Sequence, residues 1–160
     1  MPFLSRRIFF SWLATPALAG LVSPSIATTK HAMEVWKDPQ CGCCNDWIAH
    51  VREAGFTVTV HESGRTAVRQ KLGIPDALAS CHTALVGGYA IEGHVPAQDI
   101  HKLLQTRPTA IGLTVPGMPI GSPGMDGPAY GGRKDPYDVL LMTASMSAKT
   151  PSTRVFTSYR

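Results

Sequence analysis

Met33-Glu34-Val35-Trp36-Lys37-Asp38-Pro39-Gln40-Cys41-Gly42-Cys43-Cys44-Asn45-Asp46-Trp47 carries a strand, a turn and the opening of a helix. Met33 to Trp36 reads as a short strand, and Asp38-Pro39 ends it because proline has no N–H to give to a ladder. Beyond the cysteines, Trp47, Ile48, Val51 and Ala54 fall on one helical stripe across residues 45–54, and Gly55 suits the position just past a helix C-terminus. Cys41, Cys43 and Cys44 therefore sit where a helix begins. The unpaired N–H groups and the dipole of that helix end favour thiolate over thiol.

Working outward, residues 56–60 are rich in β-branched side chains and predict a second strand, and residues 66–72 pair Val68 with Leu72 in a short helix stopped by Gly73 and Pro75. Residues 83–86 and 89–91 flank Gly87-Gly88, a hairpin signal because both turn positions tolerate positive φ. Residues 96–105 carry Ile100, Leu103 and Leu104 in a third helix that ends before Pro108. The order β, cysteine loop, α, β, α, β, β, α predicts an α/β fold, a small mixed sheet with helices on both faces, in the order of a thioredoxin or glutaredoxin core. Residues 108–136 are dominated by proline and glycine and exclude a helix. So long a segment, lying between the third helix and two expected strands at 137–142 and 154–158, is expected to lie across the core rather than hang free. The C-terminal third is thus a Pro/Gly-rich loop and a β-hairpin added to the core.

The amino terminus has a different character. Ser5-Arg6-Arg7-Ile8-Phe9-Phe10 leads into an apolar stretch too short to span a membrane, followed by Ser25-x-Ala27, which predicts an export signal cleaved after residue 27, with Ala17-x-Ala19 as an alternative cleavage point. Its Arg-Arg core resembles a twin-arginine signal, the bacterial route for folded proteins. One domain, residues 28–160, would remain in the periplasm with no stable membrane span, and the formal charge of +4 would fall to +2 with the loss of Arg6 and Arg7. A chain with so little excess charge, and no aromatics interleaved with Lys and Arg, has no nucleic-acid partner to recommend it.

Four cysteines in an exported chain ordinarily make two disulfides. Three of them inside four residues fit that poorly, since any pair within the cluster closes a small loop, most plausibly Cys41 with Cys44. A C-x-x-C pair alone serves dithiol chemistry, and the extra thiol of Cys43 favours a soft metal. Adjacent Cys43 and Cys44 match none of the usual zinc spacings, and the run matches neither of the common ferredoxin spacings. Cu(I), which thiolates bridge readily, suits the cluster best, singly or as a multinuclear copper–thiolate site. Met118 and Met125 offer soft thioethers to the same ion, and equally suit packing of the loop on the core. Trp36 and Trp47 flank the cluster as core residues. His31, His50, His61, His94 and His101 show no ligand spacing and read as ordinary polar residues. His82 is read as orienting a ligand or filling the turn, with ligation as the third option.

Ser80-Cys81-His82-Thr83-Ala84-Leu85-Val86-Gly87-Gly88 resembles the stretch of thioredoxin-like proteins in which a cis-proline opens the third strand against the C-x-x-C, with His82 in the proline's place. That resemblance implies that Cys81 lies beside the cluster, and the missing proline counts against ordinary disulfide exchange. Together with residues 36–47 and the segment from Gly117-Met118-Pro119 to Gly124-Met125, these motifs resemble the CopG-like periplasmic copper-resistance family, long catalogued as a domain of unknown function. The resemblance implies a thioredoxin-like domain that binds Cu(I) through Cys41, Cys43, Cys44 and Cys81 in copper resistance or handling. Copper ions, and periplasmic export or delivery proteins, would be its partners. The competing reading is an enzyme, an exported thiol–disulfide oxidoreductase with Cys41 as nucleophile and Cys44 as resolving partner. A structural zinc site, which would make folding metal-dependent, is the third.

Overall fold

The alternating stretch before the cysteines forms β1 (Ala32–Lys37), and the stripe after them forms α1 (Gly42–Glu53), closed by Gly55 at φ +95°. The computed structural model describes residues 31–145 and 150–160. The expected export signal lies outside them, as does the centre of the polar connection expected after the sixth strand. The chain continues through β2 (Thr57–His61), α2 (Arg65–Lys71), a 3-10 turn (Asp76–Leu78), β3 (His82–Val86), β4 (Tyr89–Glu92) and α3 (Ala97–Thr106). This is the order read from the sequence. Then come β5 (Gly112–Thr114), a second 3-10 turn (Pro128–Tyr130), β6 (Tyr137–Thr143) and β7 (Ser152–Tyr159). Among the described residues no helix is long and apolar enough to cross a membrane.

All seven strands join one mixed sheet in the order β2-β1-β3-β4-β5-β6-β7. The β1/β2 and β4/β5 pairs are parallel and the rest antiparallel. A parallel neighbour requires a crossover, which α1 supplies between β1 and β2 and α3 between β4 and β5. Two rows of cross-strand partners show how the faces are divided. Ile91, Leu113 and Leu141 pair across β4, β5 and β6 and face a core containing Trp47, Val51, Ile100 and Leu103 from α1 and α3. The next row, Ala90, Gly112 and Met142, faces the opposite way onto Ile74, Leu72 and Leu78 around α2 and the first turn. Helices therefore cover both faces, as the element order requires.

The 108–136 segment departs from the sequence reading in two places. Residues 112–114 are a strand, and residues 128–130 make a turn of 3-10 helix, where proline is at home in the first turn. Ile111, Thr114 and Val115 suit a strand, and Leu113 and Thr114 complete rows begun on β4. The C-terminal β6/β7 hairpin consequently continues the core sheet through β5 rather than forming a separate layer.

Gly112 is where this junction is tightest. A Cβ there would lie 1.7 Å from the carbonyl oxygen of Ala90. Gly112→Ala is expected to destabilise the fold by roughly 3 kcal/mol through this backbone overlap, read as a lower urea midpoint with an unchanged slope. A midpoint equal to that of the parent chain would show that β4 and β5 are not held this closely.

Candidate metal centre

Cys41 is the N-cap of α1, with extended backbone and no side-chain cap, and Cys43 and Cys44 occupy the first turn. Asp38 shapes the approach: its carboxylate accepts from Gln40 N–H at 2.9 Å and its carbonyl from Cys41 N–H at 3.1 Å, a local turn that Asp favours. Lys37, only 3% exposed, folds the loop back by donating to the carbonyls of Asp38 and Pro39 at 3.0 and 3.4 Å. Register brings in the distant cysteine. Lys37 pairs with His82 across β1 and β3, so Cys81 lies beside the cysteine loop.

The four sulfurs lie within 4.8 Å of one another. Cys41 and Cys44 are joined as a disulfide, the pair singled out from the sequence, with their Cα atoms 5.3 Å apart. Cys43 and Cys81 are free thiols 4.0 Å apart, and Cys43 lies 3.6 Å from the Cys41 sulfur. Cys44 is fully buried and the other three are half-buried. Burial, and next the neighbouring Cys43, push the Cys81 thiol up to about 12, so without a counter-charge it stays protonated.

Two histidines complete the group. His94 Nε2 is 3.0 Å and His82 Nδ1 3.3 Å from the Cys81 sulfur, and these three atoms again fall within 4.8 Å. His94 donates its Nδ1–H to the carbonyl of Pro123 at 2.8 Å, which leaves the lone pair of Nε2 directed at sulfur. His82 is wholly enclosed, its ring 4.2 Å from that of Trp47, and its Nε2 has no partner among the described residues. Burial lowers the pKa of both rings, helped at His82 by the nearby His94 and opposed at His94 by the Pro123 carbonyl and Asp126. Both are neutral imidazoles, the form that ligates metals.

His94 was read from the sequence as an ordinary polar residue, and its place is a correction to that reading. The signal was present in the hairpin. With Gly87-Gly88 at the turn, Val86 pairs with Tyr89 and Thr83 with Glu92, and Gly93 N–H continues the ladder to the His82 carbonyl. One step further sets Cys81 opposite His94. Of the other four described histidines, His31 lies with its ring 6.2 Å from that of Phe56, His61 stacks on Trp36, His50 accepts from Ala97 N–H, and His101 bonds the Ala54 carbonyl.

The Pro/Gly segment closes over the cluster's other side. Gly124, at φ +83°, packs so closely that a Cβ would lie 2.6 Å from the Cys43 carbonyl and 2.8 Å from Trp47 N. Met125 follows, nearly buried, with its thioether accepting from Tyr130 O–H at 3.3 Å. Met118 is 52% exposed. The structure thus unites the four cysteines, places Met125 in the loop against α1, and leaves Met118 at the surface.

Comparison with known proteins supplies a family and an overall structural likeness. A family model described as a protein of unknown function, DUF411, matches residues 78–125, the span from the turn before Cys81 to Met125. Two solved structures of copper resistance protein CopG resemble the chain at 44% sequence identity. Form 2 has a TM-score of 0.73 over 82% of this chain and 99% of its own. Form 1 has a TM-score of 0.70 over 80% and 96%. No curated protein matches the chain.

The neutral histidines set a pH dependence. Their folded pKa values lie below the ordinary value, so their contribution to stability is complete above about pH 6.5 and is lost as pH falls through the depressed values, where the unfolded chain binds protons first. The metal-free protein is expected to lose roughly 1–3 kcal/mol between about pH 7 and 5, with a shallower slope in His82→Gln. Urea midpoints across that range check it, and a midpoint that rises with acid would overturn it.

Proposed function

This chain belongs to the CopG-like copper-resistance family, and from that premise we propose that it is a periplasmic protein that holds Cu(I) through cysteine thiolates. The observation that carries the reading is the convergence of four sulfurs from two distant stretches of chain within 4.8 Å. Soft, polarisable thiolates bridge Cu(I), and a soft donor set selects it over harder ions. We take Cys41, Cys43, Cys44 and Cys81 as ligands, with His94 and the thioethers of Met118 and Met125 as further donors and His82 as a packing neighbour. Delivery to or export by a periplasmic copper protein follows as the physiological role. The expected leader at residues 1–27 would bring the chain to that compartment, where domain 28–160 acts.

Binding through all four sulfurs requires the Cys41–Cys44 bond to open. Two electrons and two protons from an external dithiol yield two thiols, and the copper then displaces protons as it binds. The fold reading is a thioredoxin-like core, supported by the β2-β1-β3-β4 order, with β1 parallel to β2 and antiparallel to β3, and the cysteines opening α1. A dithiol enzyme on such a core uses Cys41 and Cys44 and leaves Cys43, Cys81 and His94 without a task.

Anaerobic titration of the reduced protein with Cu(I), following thiolate-to-copper charge-transfer absorption and bound copper per chain, tests the reading. More than one tightly bound Cu(I) is expected, with a lower stoichiometry in both Cys43→Ser and Cys81→Ser. Weak binding that ignores both substitutions would transfer the assignment to thiol–disulfide exchange at Cys41 and Cys44.

A further inference from the structure

Cys81 precedes β3, outside any ladder, yet its sulfur must meet three others on the N-cap and first turn of α1. What fixes it is a set of buried charges from two other elements. Glu92, at the end of β4 and fully buried, accepts from Ser80 N–H at 2.7 Å and from Thr83 O–H at 2.6 Å. Arg69, near the end of α2 and 9% exposed, pairs with Glu92 at 2.7 Å and donates to the Ser80 carbonyl at 2.6 Å. Arg65 donates to the Cys81 carbonyl, and Ser80 O–H to the Gly117 carbonyl. Gly93 leaves the room that Ser80 occupies, since a Cβ there would lie 2.5 Å from the Ser80 side chain.

A buried ion pair contributes little net stability compared with apolar packing, because desolvation offsets its attraction. Both members of this pair hydrogen-bond the backbone of the same residue, Ser80, Glu92 at its N–H and Arg69 at its carbonyl. We propose that Arg69 and Glu92 are positioning residues for Cys81, holding the Ser80-Cys81 backbone so that this sulfur stays within reach of Cys43 whether or not Cys41 and Cys44 are joined. The proposal deepens the Cu(I) reading and rests on it for the meaning of the site. The geometry of Cys81 itself is testable without metal.

The test compares the parent chain with Arg69→Lys and with the double variant Arg69→Met/Glu92→Gln, which leaves no unpaired buried charge. In the metal-free disulfide form, alkylation by iodoacetamide is followed at Cys43 and Cys81 separately by peptide mass spectrometry. The double variant is expected to alkylate Cys81 roughly tenfold faster, through local opening of the 79–81 segment, with Cys43 changed little and Arg69→Lys in between. After reduction, its Cu(I) titration is expected to match that of Cys81→Ser. A general loosening of the fold would raise both cysteines together and overturn the proposal. So would parent-like Cys81 reactivity in a folded double variant. If the double variant does not fold, the single Glu92→Gln, close to isosteric, decides by the same Cys81-to-Cys43 ratio. Should the parent chain bind no Cu(I), the functional reading falls, while the alkylation ratio still decides whether Arg69 and Glu92 position Cys81.

Discussion

In the antiparallel ladder between β1 and β3, Lys37 stands opposite His82, and that register brings the two halves of the sulfur cluster together. β1 runs into the cysteine loop at the same end of the sheet where β3 begins, so Cys81 emerges beside the first turn of α1. A slip of one residue would exchange the two faces of β3 and carry its buried side chains to the wrong side of the sheet. The slip is resisted on both flanks. Met33 and Val35 are buried with Ala84 and Val86 in the core, and the β3–β4 hairpin is fixed by its Gly87-Gly88 turn. Cys81 and His94 then become neighbours across the extension of that hairpin without any further constraint.

Charge compensation explains why a site so placed invites a cation. Burial keeps the Cys81 thiol protonated and the His82 and His94 imidazoles neutral. It pushes the Glu92 carboxyl up as well, against the bonds from Thr83, Ser80 and Arg69. A metal ion reverses this logic, because its own charge is the largest local term and deprotonates coordinating thiols outright. The disulfide supplies the complementary state, in which two of the four sulfurs are consumed as a neutral bond. On the proposed Cu(I) reading, the disulfide is the arrangement without metal and the reduced four-sulfur set the one that would take it.

The elements that sequence made legible are those whose local and tertiary preferences agree. The run from β1 through the cysteine loop to α1, the Gly87-Gly88 hairpin and the apolar stripe of α3 each carry their own start and stop residues, and the structure has them in that order. β5 was hidden because Ile111-Gly112-Leu113-Thr114-Val115, despite its three β-branched residues, is short and lies between Pro108 and Pro116 in a segment read as one Pro/Gly loop. His94 was hidden for a related reason: ligand spacing along the chain is absent, and only counting the hairpin register two residues past Glu92 sets it against Cys81. Among the sulfurs, the spacing of Cys41, Cys43 and Cys44 was plain, whereas Cys81 entered through resemblance. The buried Arg69–Glu92 pair had no signature at all, since charged residues in a sequence ordinarily read as surface.

The Pro/Gly segment is the part whose composition looked least informative, and its role near the cluster accounts for that composition. Any side chain at Gly124 would collide with the Cys43 carbonyl and the Trp47 backbone, so glycine is what allows the loop to close on the first turn of α1. The preceding Pro123, which has no N–H to satisfy, contributes its carbonyl to His94 Nδ1 and thereby selects which nitrogen faces sulfur. One residue removes bulk and the next sets a tautomer. A loop of ordinary residues would pack at a greater distance and leave His94 free to turn. Thus the cluster's second wall is built from backbone atoms, and the choice of proline and glycine is a condition of the site's geometry, beyond any role as a connector between sheet strands.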